Sequence, residues 1–310
     1  MPAVAVSNLT RSYGDVLAVD DLSFTVEPGE VFALLGPNGA GKSTTLEILE
    51  GHRSRDGGSV DVLGRDPGDG DRELRDRIGI VLQEVGIERE LTVREVLEHY
   101  GACYTRRRPV DEVLALVGLD GLGDRRTHRM SGGQKRRIDL ATGLIGDPDL
   151  LFLDEPTTGL DPTSRQALWE EVRRLNTEYG TTVFLTTQYL EEADQLADRI
   201  AIIDAGRLVR EGTPEVLKGS VGAPTLRIDV AQGSVETARV VLCAFGPDRP
   251  AREGRVAIGL DGGAARVADV VRALDGAGVV VDHLELDAPS LDDVFAEATG
   301  RRLEGAGEEL

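Results

Sequence analysis

A glycine-rich segment directly after an apolar run constrains this chain more than any other feature. Val31–Leu35 is continuously apolar, as in a strand that is buried on both faces of a mainly parallel sheet. The next nine residues fit the pattern G-x-x-x-x-G-K-[ST]. They are Gly36, Pro37, Asn38, Gly39, Ala40, Gly41, Lys42, Ser43 and Thr44. The combination of buried strand, glycine turn and helix start predicts a phosphate-binding loop.

The residue types in this loop match the chemistry of phosphate binding. Glycines let backbone N–H groups turn inward around phosphate oxygens. Lys42 can reach the β- and γ-phosphates, and the hydroxyl of Ser43 can bind Mg²⁺. An ordinary strand-to-helix turn would not need a lysine at this position. The segment therefore predicts a site for a nucleoside triphosphate and Mg²⁺.

A second apolar run ends in two acidic residues. Residues 150–153 are all apolar, and Asp154 and Glu155 follow directly. Charge at the end of a buried strand is costly unless a cation lies nearby. We therefore expect Asp154 to hold Mg²⁺ through its water shell and Glu155 to act as the general base that orients the attacking water. Alone, Glu155 could equally be a helix-cap or ion-pair carboxylate, but the phosphate loop favours the catalytic interpretation.

A third segment consists of small and polar residues at the start of a predicted helix. Ser131 is a candidate N-cap, and Gly132 and Gly133 allow another group to approach closely. Gln134 completes the segment, and a helix N-terminus attracts phosphate. By itself this segment indicates no more than a capped helix after a loop.

Composition excludes several classes of protein. The chain has 310 residues, with 35 Lys+Arg against 55 Asp+Glu and a net charge of −20, which argues against a nucleic-acid partner. No apolar run approaches the roughly 18 residues of a membrane span. The first residues do not resemble a secretory signal, so we expect a cytoplasmic location. Cys103 and Cys243 show no disulfide or zinc pattern and are predicted to be buried thiols.

In their order along the chain these segments resemble the ATP-binding cassette (ABC) family. Gln83 and Gly159-Leu160-Asp161 also match it. The resemblance implies that Tyr13 stacks on the adenine of ATP, that Gln83 contacts Mg²⁺ or the attacking water, and that residues 131–134 form the signature loop. It also implies that Asp161 is the D-loop acid. Two cassettes would pack head to tail as a homodimer, so that each signature loop covers ATP held by the other protomer.

One position departs from the family pattern. Where the family usually has a histidine that contacts the γ-phosphate, this chain has Gln188, within Thr186-Thr187-Gln188-Tyr189. A glutamine amide can donate a hydrogen bond but carries no positive charge. Hydrolysis could be slow, or Gln188 could keep the contact because Glu155 serves as the base. We favour the second interpretation and count Gln188 among the catalytic residues.

Two further segments are similar to the ATPase subunits of daunorubicin-resistance-type exporters: residues 186–194 and 288–295. This resemblance implies a separate multi-helix membrane permease, contacted around Gln83 and the helical insert. The ATPase would lie on the inner face of the cell membrane and drive efflux, possibly of a drug. The alternatives are a soluble non-transport cassette that acts as a nucleotide-dependent switch, and a regulatory module with weakened hydrolysis.

The overall pattern predicts an α/β fold. We expect a P-loop NTPase cassette with a mixed sheet core over residues 1–220, including a helical subdomain at about 84–145. Helical spacing at 91–104, 110–117 and 131–143 defines that subdomain, and apolar runs at 183–185 and 200–203 add buried strands. A linker after residue 219 precedes a small α+β domain, 221–310, in which three strands alternate with three helices.

Overall fold

The computed structural model describes residues 1–82, 86, 88–249, 251 and 254–300. Two compact units make up this part of the chain, and they divide between Pro214 and Glu215. Helix α8 (Pro214–Ser220) begins at this division, a few residues before the boundary that the sequence predicts.

A six-stranded sheet forms the centre of the first unit. Its strands are β3 (Val31–Leu35), β5 (Ile78–Val81), β6 (Leu150–Asp154), β7 (Thr182–Thr187), β8 (Arg199–Asp204) and β9 (Arg207–Gly212). Their spatial order is β5-β6-β7-β3-β8-β9, and only the pairing of β8 with β9 is antiparallel. Because β3, β6 and β7 are parallel neighbours, the segments that follow them emerge at the same edge of the sheet.

A three-stranded antiparallel sheet packs on this first sheet. It contains β1 (Val4–Tyr13), β2 (Val16–Val26) and β4 (Gly57–Val62), in the order β2-β1-β4. Phe24 of β2 stacks on Phe32 and Phe184 of the parallel sheet, with ring centroids 5.3 and 5.9 Å apart. The apolar side chains that alternate towards the end of β2, Leu22, Phe24 and Val26, thus lie in a core shared by both sheets.

Seven α-helices complete the described part of the first unit. They are α1 (Lys42–Leu49), α2 (Arg72–Arg75), α3 (Val93–Gly101), α4 (Val110–Leu116), α5 (Gly132–Leu144), α6 (Pro162–Tyr179) and α7 (Leu190–Leu196). Helices α3, α4 and α5 confirm the three helices predicted for the insert. Helix α3 is shorter than predicted because Thr92 and Glu95 form a capping box that fixes its start.

The second unit contains an antiparallel sheet and three further helices. Its strands are β10 (Thr225–Val230), β11 (Asp248–Arg249), β12 (Arg255–Gly259) and β13 (Val281–Asp287), in the order β11-β12-β10-β13. Its remaining helices are α9 (Val235–Leu242), α10 (Val267–Gly276) and α11 (Leu291–Thr299). The predicted alternation of strands and helices is confirmed, with the two-residue β11 added. Leu242 and Leu274 bury their side chains in the same core as Leu226 and Ile228.

The prediction that both cysteines are buried is wrong. Cys103 and Cys243 are both exposed. Cys103 follows the end of α3, and Cys243 caps the end of α9. Among the helices of the described residues, none has the length and apolar character that crossing a bilayer requires.

Candidate active site

The phosphate loop joins β3 to α1 through glycines that no other residue could replace without strain. A Cβ atom at Gly36 would lie 2.5 Å from the carbonyl oxygen of Ile203. At Gly41 it would lie 2.4 Å from the carbonyl oxygen of Ala18, and the φ angle of Gly41 is +100°. Gly39 also has a positive φ, of +80°. The loop therefore needs glycine at positions 36 and 41 because another backbone segment approaches closely. It needs glycine at positions 39 and 41 because the backbone has a positive φ angle.

Helix α1 begins without a side-chain cap. Gly41 occupies the N-cap position and, having no side chain, leaves the backbone of the first turn to other partners. Ser43 is exposed there, and Thr44 is half-buried. Asn38 and Gly39 are exposed at the tip of the loop, whereas Ala40 is buried. An uncapped helix start next to a lysine is a favourable setting for phosphate oxygens.

Lys42 connects the phosphate loop to the end of β6. Its side chain is only 4% exposed, and Nζ donates to the carbonyl oxygens of Gly36 (2.8 Å) and Pro37 (3.1 Å). Nζ also lies 3.3 Å from Oε1 of Glu155. Burial lowers the pKa of the Lys42 ammonium, and the nearby carboxylate of Glu155 opposes this shift. The two predicted motifs therefore meet at one point.

Asp154 is the last residue of β6 and is held by the neighbouring strand. The hydroxyl of Thr186 in β7 donates to its Oδ1 at 2.6 Å. Burial raises the pKa of Asp154, and the negative charge of Glu155 adds to the shift. A half-buried carboxylate and the Ser43 hydroxyl are hard oxygen donors of the kind that Mg²⁺ prefers, so these residues fit the ion. Gln83, the third predicted ligand, lies outside the described residues.

Glu155 has an unusual backbone conformation. Its φ is +43°, which is the left-handed region. Its N–H donates to both the carbonyl oxygen and the hydroxyl of Thr186, each at 3.1 Å. Its carboxylate meets Lys42 at Oε1, and Oε2 accepts from the hydroxyl of Thr158 at 3.2 Å. A strained residue with a positioned carboxylate is typical of an active site.

Sequence reasoning missed Thr158 and Thr186. Thr186 is completely buried and directly follows residues 183–185, the apolar centre of β7. A buried hydroxyl needs a partner, so this residue was the available signal that β7 borders a polar site. No comparable signal identifies Thr158.

The signature segment has the predicted helix cap. Ser131 accepts from the backbone of Gln134, and the side chain of Gln134 accepts from the backbone of Ser131. These hydrogen bonds join the start of α5 to itself and not to the phosphate loop. A Cβ atom at Gly133 would lie 2.7 Å from Oγ of Ser164. Ser131 and Gly132 are exposed. The segment is thus presented at the surface.

Asp161 is placed close to that segment. It caps α6 by accepting from the backbone N–H of Ser164 at 3.0 Å, and the hydroxyl of Ser164 donates to it at 2.7 Å. Ser164 therefore lies between Asp161 and Gly133. The predicted signature loop and the predicted D-loop acid belong to one surface of the first unit.

Gln188 and Tyr13 occupy different borders of the site. Gln188 is half-buried directly after β7, and β7 lies between β3 and β6. It therefore emerges between the phosphate loop and Glu155. Tyr13 ends β1, and the guanidinium groups of Arg11 and Arg53 lie 5.0 and 5.2 Å from its ring centroid.

Known proteins are similar to this chain in sequence. The family model described as "ABC transporter" matches residues 19–158. A daunorubicin resistance ATP-binding protein, DrrA2 of Streptomyces coeruleorubidus, is 42% identical over 97% of this chain and 96% of its own length. The Nod factor export ATP-binding protein I of Rhizobium sp. (strain N33) is 38% identical over 97% of this chain and 98% of its own length.

Solved structures agree on the fold of the first unit. The dimeric structure of MJ0796, a bacterial ABC transporter cassette, has a TM-score of 0.60 and 26% identity, and the match covers 68% of this chain and 98% of that one. The ADP conformation of the cassette MJ1267 has a TM-score of 0.64, with 24% identity over 70% of this chain and 92% of that one.

The fold and the site together define a nucleotide-binding P-loop ATPase. The phosphate loop, the acidic end of β6 and the capped signature helix occur in one unit, as the sequence predicts. The chain belongs to the ABC transporter family. It is an ATP-binding and ATP-hydrolysing subunit of the exporter type within that family.

Proposed function

We propose that this chain works as a homodimer that closes on two ATP molecules and thereby drives a separate membrane permease. The phosphate loop of one protomer holds ATP, and residues 131–134 of the other protomer cover it. The exposed, self-capped start of α5 supports this arrangement, because its capping hydrogen bonds are made within the segment and not with the phosphate loop of its own protomer. A twofold axis would create two equivalent sites.

One observation carries the catalytic part of the proposal: Lys42 and Glu155 meet at 3.3 Å beside Asp154. Lys42 binds the β- and γ-phosphates, so the water that attacks the γ-phosphate lies within reach of Glu155. Glu155 accepts the proton of that water, and Thr158 and Thr186 hold Glu155 in place. Gln188 donates to a γ-phosphate oxygen as charge develops there.

Ser43, Asp154 and Gln83 are the residues that would hold Mg²⁺. The ion would neutralise charge on the phosphates. Tyr13 would provide the surface on which adenine stacks, and Asp161 would act at the dimer interface beside the partner's signature loop.

A groove beside β5 is the proposed docking surface for the permease. It has a volume of about 410 Å³ and is lined by Ile78 and Ile80 of β5, by Cys103 and Tyr104 after α3, and by Glu50 after α1. Strand β5 ends at Val81, two residues before Gln83. A segment of the permease that binds in this groove would therefore contact the helical insert and a strand that ends close in sequence to Gln83.

The exported compound is proposed from the relatives. The names of two of them refer to daunorubicin resistance and to Nod factor export. We infer that a permease paired with this chain exports a small molecule, and a drug is the candidate that the name of the daunorubicin-resistance relative suggests. The chain would then lie at the inner face of the cell membrane, held there by its permease.

Dimer closure can be tested with Glu155→Gln. This variant should bind Mg·ATP, turn it over at least about a hundredfold more slowly, and form a stable dimer in light scattering. The matched control, Glu155→Gln with Ser131→Arg, should remain monomeric because the arginine blocks the facing site. A variant that hydrolyses ATP near the wild-type rate would contradict the role of Glu155.

The permease contact can be tested through the two exposed cysteines. A photoactivatable cross-linker is attached to Cys103 in a Cys243→Ser variant, and the chain is bound to membranes from its own cells. A multi-helix membrane protein should be captured. The control carries the probe at Cys243 in a Cys103→Ser variant and should not capture it. Capture of ribosomal proteins instead would favour the nucleotide switch.

A further inference from the structure

Arg136 is a buried cation that none of the predicted motifs explains. It lies in the second turn of α5, five residues after Ser131, and is 8% exposed. Burial lowers the pKa of its guanidinium, so the charge is kept there at a cost. Such a group is retained only where several acceptors surround it.

The acceptors are main-chain carbonyls from two other segments. Nε donates to the carbonyl oxygen of Pro156 at 2.6 Å, and Nη1 donates to that of Leu82 at 2.6 Å. Nη2 reaches the carbonyl oxygens of Asp154 (3.3 Å) and Glu155 (3.4 Å). One guanidinium therefore holds the last residue of β6 and the two residues that follow it, and also the residue that precedes Gln83.

The ion pair of Arg136 does not account for this arrangement. Asp139, one turn further along α5, approaches only to 3.7 Å. Its Oδ1 is buried without a hydrogen-bond partner, and burial raises its pKa to about 7. Among the contacts of Arg136 with residues that the structure describes, the shortest are those to Pro156 and Leu82, at 2.6 Å each. The guanidinium spreads its donors over three nitrogen atoms in one plane, so Nε reaches Pro156 while Nη1 reaches Leu82, whereas a lysine carries all of its donors on a single nitrogen.

The segment that Arg136 holds, residues 154–156, includes a backbone conformation that needs to be stabilised. Glu155 has a φ of +43°, and its neighbours on both sides have their carbonyl oxygens directed at Arg136. A backbone in this region persists only when the surrounding contacts fix it. Arg136 supplies such contacts from the helix that begins at Ser131.

We propose that Arg136 is a positioning residue that fixes Asp154, Glu155 and the start of the Gln83 segment relative to the signature helix. It touches no reacting atom. In each protomer the signature helix faces the ATP of the partner, whereas Asp154 and Glu155 act on the protomer's own ATP. Arg136 connects these two regions. This inference rests on the proposed function, since the signature helix acts across the dimer.

The test is Arg136→Lys in the full chain, with ATP turnover, Mg·ATP binding and thermal unfolding measured on the same preparation. Lysine keeps the charge beside Asp139 but cannot bond Leu82 and Pro156 together. We expect kcat to fall at least tenfold, the Kd for Mg·ATP to change less than twofold, and the melting midpoint to stay within a few degrees. The matched control is Arg137→Lys, because Arg137 donates instead to Gly118. It should leave kcat within twofold of wild type.

Asp139→Asn separates the carbonyl contacts from the ion pair. It removes the charge of Asp139 and leaves the bonds of Arg136 to the backbone, so kcat should stay within twofold of wild type. The inference is overturned if Arg136→Lys keeps wild-type kcat, if its activity falls only in step with folded protein, or if Asp139→Asn loses as much activity. The proposed dimer is tested separately, by whether the Glu155→Gln variant dimerises with ATP. The comparison of Arg136→Lys with wild type does not depend on that result.

Discussion

Nζ of Lys42 lies 3.3 Å from Oε1 of Glu155, and both side chains are less than a tenth exposed. The two residues follow β3 and β6, which flank β7 in a parallel sheet. Parallel strands deliver the segments that follow them to one edge, so residues distant in sequence become neighbours there. This pair therefore marks the point where phosphate binding and water activation coincide.

The first prediction concerns the stability of this pair. Lys42→Met leaves the carboxylate of Glu155 buried without its cation, and we expect the free energy of unfolding to fall by roughly 3–5 kcal/mol. Lys42→Met combined with Glu155→Gln removes both charges and should recover most of that loss. Urea unfolding of the four proteins gives the coupling energy. Losses that simply add in the double variant would mean that the two side chains do not interact.

A second prediction concerns Gln188. If its amide donates to the γ-phosphate, Gln188→Ala should lower kcat by about a hundredfold, as removal of one transition-state donor usually does. Gln188→His restores a donor and should keep kcat within about threefold of wild type. Steady-state kinetics measure kcat for both variants. The Kd for Mg·ATP shows that each variant is folded and still binds the nucleotide. Unchanged turnover in Gln188→Ala would show that the γ-phosphate contact lies elsewhere.

The third prediction compares two glycines of the phosphate loop. Gly41→Ala combines a left-handed backbone with a Cβ atom 2.4 Å from the carbonyl oxygen of Ala18, so unfolding should become easier by roughly 2–4 kcal/mol. Gly39→Ala has the same conformational problem at a φ of +80° but no atom within 4 Å of the new Cβ. It should cost only about 1 kcal/mol. Equal losses would refute the role of Ala18.

The sequence predicted the site best where chemistry depends on short motifs. The phosphate loop, the acidic end of β6 and the cap at Ser131 are local patterns, and each occurs in the expected secondary structure. The strands that went unpredicted are short or partly exposed: β4, β5 and β9. Their apolar periodicity is too brief to separate from a loop, and only pairing with neighbours makes them strands.

Contacts between distant segments could not be predicted in the same way. Nothing in the residues around Arg136 indicates that its guanidinium reaches carbonyls beside Gln83 and Glu155. Every residue has a main-chain carbonyl, so no sequence pattern marks those that accept a hydrogen bond from a side chain. The role of a residue such as Arg136 can therefore be identified only when the fold is known. Thr186 is intermediate, since a hydroxyl at the end of a buried strand is a weak signal of a polar neighbour.

The last prediction concerns pH and Glu50, which follows α1. Its side chain is almost fully buried, one carboxylate oxygen has no hydrogen-bond partner, and burial raises its pKa to about 8 from an ordinary value of 4.5. Between these two values the folded chain holds a proton that the unfolded chain has released. Stability therefore falls as pH rises through this window and levels off above about pH 8.

Glu50→Gln cannot ionise and should escape this loss. Relative to wild type, we expect the variant to be more stable by about 4 kcal/mol at pH 9 than it is at pH 5. Urea unfolding at the two pH values measures the difference. The control is Glu47→Gln on the same helix, whose side chain is partly exposed and pairs with Arg53. If Glu50→Gln changes stability equally at both pH values, the folded chain holds no extra proton at Glu50, and this carboxylate is ionised from pH 5 to pH 9.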